Sequence, residues 1–256
     1  MEITQIRNAT MHLKFGGTRF LIDPMLSGKG AFPGFPGTIN DDLANPLVDL
    51  PMLLERIVDV DAVFVTHLHE DHWDAAAVES LSKKMPIIVP TDEVAAGIRG
   101  AGFTDVRVAG SGMIFNGVHI AATEAVHGVK AVTEAFPREF LHVGGAVFSH
   151  AEEKTAYLTA DTIWYPKVAE VIASHAPEVI ILNCGNAQAL GLGRLIMNAS
   201  DVHEVHKAAP GAVLVGSHME AVNHCVLTRS ALRSYAEQHG FSKQMQLPAD
   251  GETITI

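Results

Sequence analysis

Residues 60–74 decide the fold, and they read VDAVFVTHLHEDHWD. The first six form an apolar run rich in β-branched side chains, which predicts a short buried strand. Directly after this strand come four side chains that can bind a metal ion: His67, His69, Asp71 and His72. The strand would therefore deliver several metal ligands to its carboxyl end.

The spacing of these four residues allows them to reach two metal ions. On an extended backbone alternate side chains share a face, so His67 and His69 can reach the same ion. Asp71 and His72 follow where the chain must turn into a helix predicted over residues 75–81, and that turn can aim them at a second ion. A histidine-rich surface turn is the alternative, but polar groups packed behind a buried strand would then lose solvent without gaining a partner.

Length and composition bound the class of protein. The chain has 256 residues, of which 48% are hydrophobic and 18% charged, enough for one large domain or two small ones. The formal net charge of −11 disfavours nucleic acid as a partner, because such binding needs concentrated Lys and Arg. The sequence shows no apolar run of about 18 residues and no apolar leader, and two cysteines are too few for a disulfide framework. We therefore expect a cytoplasmic protein without a membrane partner.

The first 51 residues predict a meander followed by a long loop. Strands are predicted over residues 3–7, 11–15 and 18–22, with a glycine pair at the second hairpin turn. Residues 24–51 are rich in Gly, Pro, Asn and Asp, and they exceed the usual length of a loop in a compact domain. Such a loop can serve as a lid, a binding edge or an oligomer contact, and its Phe32 and Phe35 either cover a cleft or simply pack the loop on the surface.

Strands and helices alternate over much of the remaining chain. Further strands are predicted over 87–89, 106–108, 155–159, 179–182 and 212–215, and helices over 92–99, 164–174, 201–208 and 228–239. Residues 117–126 and 140–148 alternate apolar and small residues with no helix predicted between them, which favours an antiparallel pair. This order fits two sheets packed face to face with helices outside.

The pattern His-x-His-x-Asp-His after a strand and before a helix resembles the metal-binding signature of the metallo-β-lactamase superfamily. The resemblance implies an α/β fold, namely an αβ/βα four-layer sandwich with two mixed sheets face to face and helices outside, forming a single domain over residues 1–256. It also implies three further ligands downstream, a histidine, an aspartate and a histidine, each at a strand end.

The third histidine ligand of the first ion is assigned to His127. It follows the strand predicted over 117–126, as the resemblance requires. His119 is the competing candidate, but it lies inside that strand.

Asp161 is the candidate for the bridging carboxylate. Residues 160–162 read Ala-Asp-Thr and resemble the Gly-Asp-Thr segment that supplies this carboxylate in the family. Alanine stands where glycine is common, so the turn must tolerate a Cβ atom. Alternatively, Asp161 is the N-cap of the helix that begins near Trp164, and both roles can coexist.

The last ligand is assigned to His218, which follows the strand predicted over 212–215. His224 is the competing candidate for this position, and otherwise a residue that supports a ligand or contacts substrate. The resemblance then implies His67, His69 and His127 on one ion, Asp71, His72 and His218 on the other, and Asp161 between them.

The implied cofactors are two divalent metal ions. Imidazole and carboxylate ligands without a thiolate suit zinc, manganese or iron, and zinc is our first expectation for a hydrolase. Two such ions can share a hydroxide that attacks the substrate, and Asp71 would pass a proton to the leaving group. Residues 8–10, 161–164 and 217–220 look closest to the ascorbate-6-phosphate lactonase-like metal-dependent hydrolases.

The resemblance therefore predicts a hydrolase that acts on a small molecule such as a lactone, ester or amide. A phosphodiesterase or nuclease is the alternative, and a metal-binding protein without enzyme activity is a third reading. We expect no nucleic-acid partner, and a homo-oligomer stays open.

Six further residues are considered for the pocket or its surroundings. Trp73 and Tyr165 either line the pocket or pack in the core. Cys184 is predicted to be a buried inert thiol. Lys29, Lys130 and Arg194 lie in loops from which they could recognise an anionic group.

Overall fold

The structure is a computed structural model that describes residues 1–138 and 140–256. Its strands are β1 (Glu2–Arg7), β2 (Thr10–Phe15), β3 (Thr18–Ile22), β4 (Ala62–Phe64), β5 (Ile87–Val89), β6 (Val106–Val108), β7 (Met113–Phe115), β8 (Val118–Glu124), β9 (Gly144–Ser149), β10 (Ala156–Leu158), β11 (Val179–Asn183), β12 (Gln188–Ala189), β13 (Gly193–Arg194), β14 (Val213–Ser217), β15 (Met245–Gln246) and β16 (Thr253–Thr255). Its helices are α1 (Leu54–Ile57), α2 (Ala75–Ser80), α3 (Asp92–Gly100), α4 (Lys130–Ala135), α5 (Pro166–His175), α6 (Ala199–Ala208) and α7 (Arg229–Gln238).

Within the described ranges the strands form two seven-stranded sheets and one small hairpin. The first sheet has the order β16-β1-β2-β3-β4-β5-β6, and the second has the order β15-β14-β11-β10-β9-β8-β7. Each sheet is mixed, because β3 to β6 and β10, β11, β14 and β15 pair in parallel whereas the remaining strands pair antiparallel. The predicted α/β class with two mixed sheets is confirmed.

The apolar core between the two sheets is built around aromatic rings. Phe148 of the second sheet packs against Phe15, Phe20 and Phe64 of the first, with ring centroids 5.6 to 6.1 Å apart. Successive side chains of β4 point to opposite faces of the sheet. Phe64 therefore packs in this core, whereas Val63 packs against the helices α2 and α3. Helices α5, α6 and α7 cover the other sheet, which completes four layers.

Helix α2 begins where the metal-ligand stretch ends. The Asp74 carboxylate accepts a hydrogen bond from the backbone N–H of Ala77 at 2.8 Å and so caps the helix. Its other oxygen accepts from the N–H of Ser27, which holds the long loop against this turn.

The prediction of no helix between the two antiparallel strands is wrong. Helix α4 lies between β8 and β9, and β9 begins at Gly144, so residues 141–143 are not part of a strand. The helix has six residues, and only Val132 among them is buried. A single buried residue leaves no 3.6-residue periodicity for sequence analysis to detect.

Candidate metal centre

The predicted ligands lie at one edge of the sandwich, although they come from both sheets. His67 follows β4 of the first sheet, whereas His127, Asp161 and His218 follow β8, β10 and β14 of the second. The carboxyl ends of these strands face the same edge, so chain segments far apart in sequence converge there. All seven predicted ligands lie in this cluster, which consists of His67, His69, Asp71, His72, His127, Asp161 and His218.

The donor atoms of the cluster fall into overlapping groups. One group is His67, His69 and His127, and another is Asp71, His72 and His218; within each, the ligand atoms lie within 4.8 Å of one another. Asp161 lies between the groups, since its Oδ2 is 3.4 Å from Nε2 of His127 and 3.3 Å from Nε2 of His72. This is the arrangement that the resemblance implied.

His218, rather than His224, occupies the last position of the cluster. Its Nε2 lies 3.1 Å from Oδ2 of Asp71 and 3.0 Å from Nε2 of His72. His224 belongs to none of the ligand groups found among the described residues, although it lies beside the cluster. His119 is exposed on β8 and takes no part in these groups.

Hydrogen bonds from outside the cluster turn its imidazoles so that their Nε2 lone pairs point inward. His72 donates through Nδ1 to Oδ2 of Asp23 at 2.8 Å, and His127 donates through Nδ1 to the carbonyl of Leu195 at 3.0 Å. Because a carboxylate and a carbonyl only accept, the proton must lie on Nδ1 in both rings. In the neutral ring Nε2 is then left as an electron-pair donor, as metal binding requires.

Asp23 supports both groups of ligands. Its Oδ2 accepts from His72 and from the hydroxyl of Thr66 at 2.8 Å, and that hydroxyl in turn lies 2.9 Å from Nδ1 of His67. Its Oδ1 accepts from the backbone N–H of Thr66 at 2.7 Å. Asp23 is not among the residues that the sequence predicts for this site, although its position directly after β3, beside the strand that carries the histidines, is a signal for it.

We expect Asp23→Asn to lower the affinity for divalent metal about 10- to 100-fold, the range found when a partner of a metal-bound histidine is lost. Asparagine keeps the size but places an N–H₂ group where His72 or Thr66 needs an acceptor. Competition with a chromogenic chelator measures the affinity. The matched control is Asp61→Asn, whose exposed carboxylate accepts only from a backbone N–H, that of Arg19. Equal affinities in both variants would contradict the role of Asp23.

The charges of the cluster fit metal cations. Burial raises the pKa of the Asp71 and Asp161 carboxyls, but the surrounding imidazoles, His72 foremost, bring both well below the usual range. Burial opposes charge on His72 as well, yet Asp161, Asp71 and Asp23 raise its pKa to about 10. Two buried carboxylates thus demand positive charge, and in the protein alone only protons on imidazoles supply it.

In the three-histidine group the pKa values of two imidazoles are lowered rather than raised, and these neutral imidazoles also suit a metal cation. Burial, followed by the neighbouring His72 and His69, puts the pKa of His67 well below its usual range. Burial lowers the pKa of His127 to about 4. These two imidazoles are therefore neutral at pH 7. Nε2 of His67 lies 3.0 Å from Nδ1 of His69, and neutral imidazoles that converge in this way suit a metal ion.

Two residues at the cluster have a positive φ, one of them a predicted ligand and the other the neighbour of one. Ala160, which stands where the family has glycine, adopts φ 57° immediately before Asp161, and His218 itself adopts φ 58°. A residue with a Cβ atom in this region costs about 1–2 kcal/mol. The turn therefore tolerates alanine at a local cost and still presents Asp161 to the cluster.

A cavity of about 240 Å³ opens onto the cluster. Apolar side chains of the long loop and of two later segments supply much of its wall, and His69, Asp71, His127 and Asp161 form its floor. The lining residues are Phe35, Pro36, Thr38, His69, Glu70, Asp71, His127, Phe140, Asp161, Leu195 and His224. Among the residues that the structure describes, no lysine or arginine lines it.

The remaining candidate residues lie elsewhere. Trp73 packs against Phe103 in the core between the first sheet and its helices, and Tyr165 lines a different cavity with Thr123 and Glu124. The reading of both as lining the pocket over the cluster is therefore wrong, because adjacent residues of a turn point in different directions. Cys184 is buried, which raises the pKa of its thiol to about 12, as expected of an inert cysteine.

The three basic residues considered for an anionic group do not reach the cavity. Arg194 forms a two-pronged ion pair with Asp201 at 2.9 and 3.0 Å, and Lys130 is exposed beside Glu134. Lys29 is exposed on the long loop.

The chain matches known proteins at the level of a superfamily and of a smaller family within it. A family model described as "Beta-lactamase superfamily domain" matches residues 18–219. The chain therefore belongs to the metallo-β-lactamase superfamily, whose fold the two sheets reproduce. Within it, "UPF0173 protein YddR" of Bacillus subtilis (strain 168) is 44% identical over 257 residues, covering 100% of both chains. A "UPF0173 metal-dependent hydrolase" of Anoxybacillus flavithermus is 25% identical over 194 residues, 75% of this chain and 76% of that protein. The chain is a member of the UPF0173 metal-dependent hydrolases.

Two of the solved structures that match along the full chain share more than a third of its residues. An isothiocyanate hydrolase from Delia radicum gut bacteria has a TM-score of 0.97 at 40% identity, covering 100% of this chain and 99% of its own. A possible metal-dependent hydrolase from Veillonella parvula has a TM-score of 0.97 at 36% identity with the same coverage. These four names do not include a lactonase, so lactonase activity stays a prediction. No helix within the described residues is long and apolar enough to cross a membrane.

Proposed function

We propose that this protein is a dinuclear metal-dependent hydrolase that acts on a small uncharged molecule with an electrophilic carbon. The cavity over the cluster carries this proposal. Its volume of about 240 Å³ lies below the range of roughly 300 to 1,000 Å³ that is usual for drug-sized ligands. Its walls include Phe35, Pro36, Phe140 and Leu195, and no described lysine or arginine lines it.

The ligand groups support a pair of metal ions. His67, His69 and His127 would hold one divalent ion, and Asp71, His72 and His218 the other, with Asp161 shared. Zinc is the first candidate, and manganese or iron are alternatives for the same imidazole and carboxylate donors. When bound, such a pair supplies an activated water and Lewis acidity toward the substrate.

Residues of the chain orient the metal-binding carboxylate, transfer a proton and exclude water. Asp161 is kept in place by Asn183, whose Nδ2 donates to Oδ1 at 2.7 Å, so that Oδ2 alone faces the imidazoles. Asp71 lines the cavity, and its carboxylate can take the proton that the attacking water releases and pass it to the atom that leaves the reacting carbon. Phe35 and Phe140 exclude bulk water from this space, which strengthens the electrostatic interactions within it.

Two kinds of substrate have this chemistry. Lactones, esters and amides carry an electrophilic carbonyl carbon, and the signature of the chain supports them. Isothiocyanates carry an electrophilic carbon between nitrogen and sulfur, and the 40% identity with an isothiocyanate hydrolase over the full chain supports them as the second candidate. Phosphodiesters and phosphorylated lactones are disfavoured, since no described lysine or arginine lines the cavity and the metal ions would have to balance the phosphate charge beside Asp71 and Glu70.

A substrate panel tests the proposal. The metal-loaded protein is assayed with phenyl acetate, γ-butyrolactone, allyl isothiocyanate and bis(4-nitrophenyl) phosphate, with the Asp161→Ala variant as the blank. We expect turnover of at least one neutral compound at kcat/KM at least about 100-fold above that of the phosphodiester, equivalent to ~3 kcal/mol. Turnover of the phosphodiester alone would replace the proposal with a phosphodiesterase, and bound metal without turnover would favour a protein that only binds metal.

A further inference from the structure

One buried side chain holds the roof of the cavity, which we define as residues 35–38. Asn223 accepts through Oδ1 from the backbone N–H of Phe35 at 3.2 Å. Its Nδ2 donates to the hydroxyl of Thr38 at 2.8 Å and to the carbonyl of Ile39 at 2.9 Å. Beside Asn223, the roof is held at its far end by β12, where the backbone N–H of Leu190 donates to the carbonyl of Gly37 at 2.8 Å and the N–H of Ile39 donates to that of Gln188 at 3.2 Å.

Asn223 also forms a reciprocal pair with Asn45 from the far end of the long loop. Nδ2 of Asn45 donates to Oδ1 of Asn223 at 2.8 Å, and the backbone N–H of Asn223 donates to Oδ1 of Asn45 at 2.8 Å. Asn45 is fully buried and Asn223 is 2% exposed. Removing either amide would leave several buried polar groups without partners, at a cost of about 1–3 kcal/mol for each.

The residue after Asn223 connects this network to the cavity. His224 lines the cavity and packs its ring edge-on against Phe35 of the roof, with centroids 4.9 Å apart. Its imidazole makes no hydrogen bond with any residue that the structure describes, and its Nδ1 is enclosed without a partner. The hydrogen bonds of Asn223 therefore hold Phe35 against His224, and both side chains line the space that a substrate can fill.

We infer that Asn223 is a positioning residue that sets the upper size of the substrate by holding the roof at a fixed height above the cluster. This inference rests on the proposed function for what is bound, but the holding of the roof does not depend on it. A purely structural role would change the stability of the protein and the rate with every substrate alike. A size-setting role changes the ratio between small and bulky substrates.

The test compares Asn223→Ala and Asn45→Ala with Gln238→Ala, which removes an exposed amide at the end of α7. The substrates are the acetate and octanoate esters of one phenol, and allyl and 2-phenylethyl isothiocyanate. We expect the kcat/KM ratio of small to bulky substrate to fall roughly tenfold in both loop variants, chiefly through KM, a size typical of pocket discrimination. Metal content should match that of the wild type, and the double variant should be no worse than either single one. An unchanged ratio, or an equal loss with both substrates, would overturn the inference.

Hydrogen exchange keeps the inference testable if the wild type turns over none of these compounds. We expect faster amide exchange over residues 28–45 in Asn223→Ala, with residues 62–74 unchanged. If the panel fails while the roof loosens, the proposed substrates are wrong and the holding role stands. Equal protection of the roof in the variant and the wild type would overturn the holding role itself.

Discussion

Replacing Asp161 by alanine is expected to lower kcat/KM by at least about 1,000-fold, the equivalent of ~4 kcal/mol of transition-state stabilisation. Asp161 alone lies between the two groups of ligands, with Oδ2 within 4.0 Å of Nε2 in four imidazoles. Its loss would remove the ligand that the two proposed cations share, and one of the two buried carboxylates that balance the positive charge of the cluster.

Steady-state kinetics with the best substrate of the panel measures this effect, and metal analysis of the purified variant should show fewer ions per chain. The control is Asp59→Ala, which removes an exposed carboxylate paired with Arg19 at 3.1 Å and should leave activity unchanged. Circular dichroism establishes that the variant is folded. A folded variant that keeps wild-type activity and metal content would show that Asp161 is not a bridging ligand.

Removing the metal with a chelator is expected to lower the melting temperature by roughly 8 to 16 °C and to abolish activity. A ligand present at about 1,000 times its Kd stabilises a protein by ~4 kcal/mol. For a chain of this size each kcal/mol corresponds to roughly 2–4 °C. Calorimetry with and without the chelator measures the shift, and added divalent metal should restore both properties. The Asp161→Ala variant should respond less than Asp59→Ala, because it begins with less metal.

The stability of the metal-free protein should also depend on pH, in a direction set by His72. Its pKa rises from 6.5 to about 10 in the folded chain, so its protonation contributes stability that is fully present below pH 6.5 and lost as the pH rises toward 10. The chelated protein should therefore melt at a lower temperature at pH 9 than at pH 6.5. A chelated protein more stable at pH 9 than at pH 6.5 would contradict the predicted charge state of the cluster.

The metal centre was more predictable from sequence than its surroundings. Four ligands occur within residues 67–72, and the others follow strands whose apolar character is local, so position relative to a strand distinguished His127 from His119. His218 and His224 both follow the same strand, and sequence position alone could not decide between them. Their difference arises from the left-handed turn at His218, a property of the backbone.

The cavity walls and the sheet edges could not be predicted because they depend on distant parts of the chain. The pair of Asn45 and Asn223 joins segments 178 residues apart, and neither neighbourhood carries a local signal for it. The edge strands β15 and β16 have two and three residues, too few to show alternation. They pair with β14 and β1 only when distant parts of the chain come together in the folded protein.

The origin of the ligands in both sheets has a consequence for how this protein tolerates change. His67, His69, Asp71 and His72 move with the first sheet, whereas His127, Asp161 and His218 move with the second. The thickness of the aromatic layer around Phe148 therefore sets the distance between the two halves of the metal centre. A substitution there that alters volume by a methyl group can displace one set of donors from the other, so sequence drift deep inside the sandwich is limited by chemistry as well as by folding.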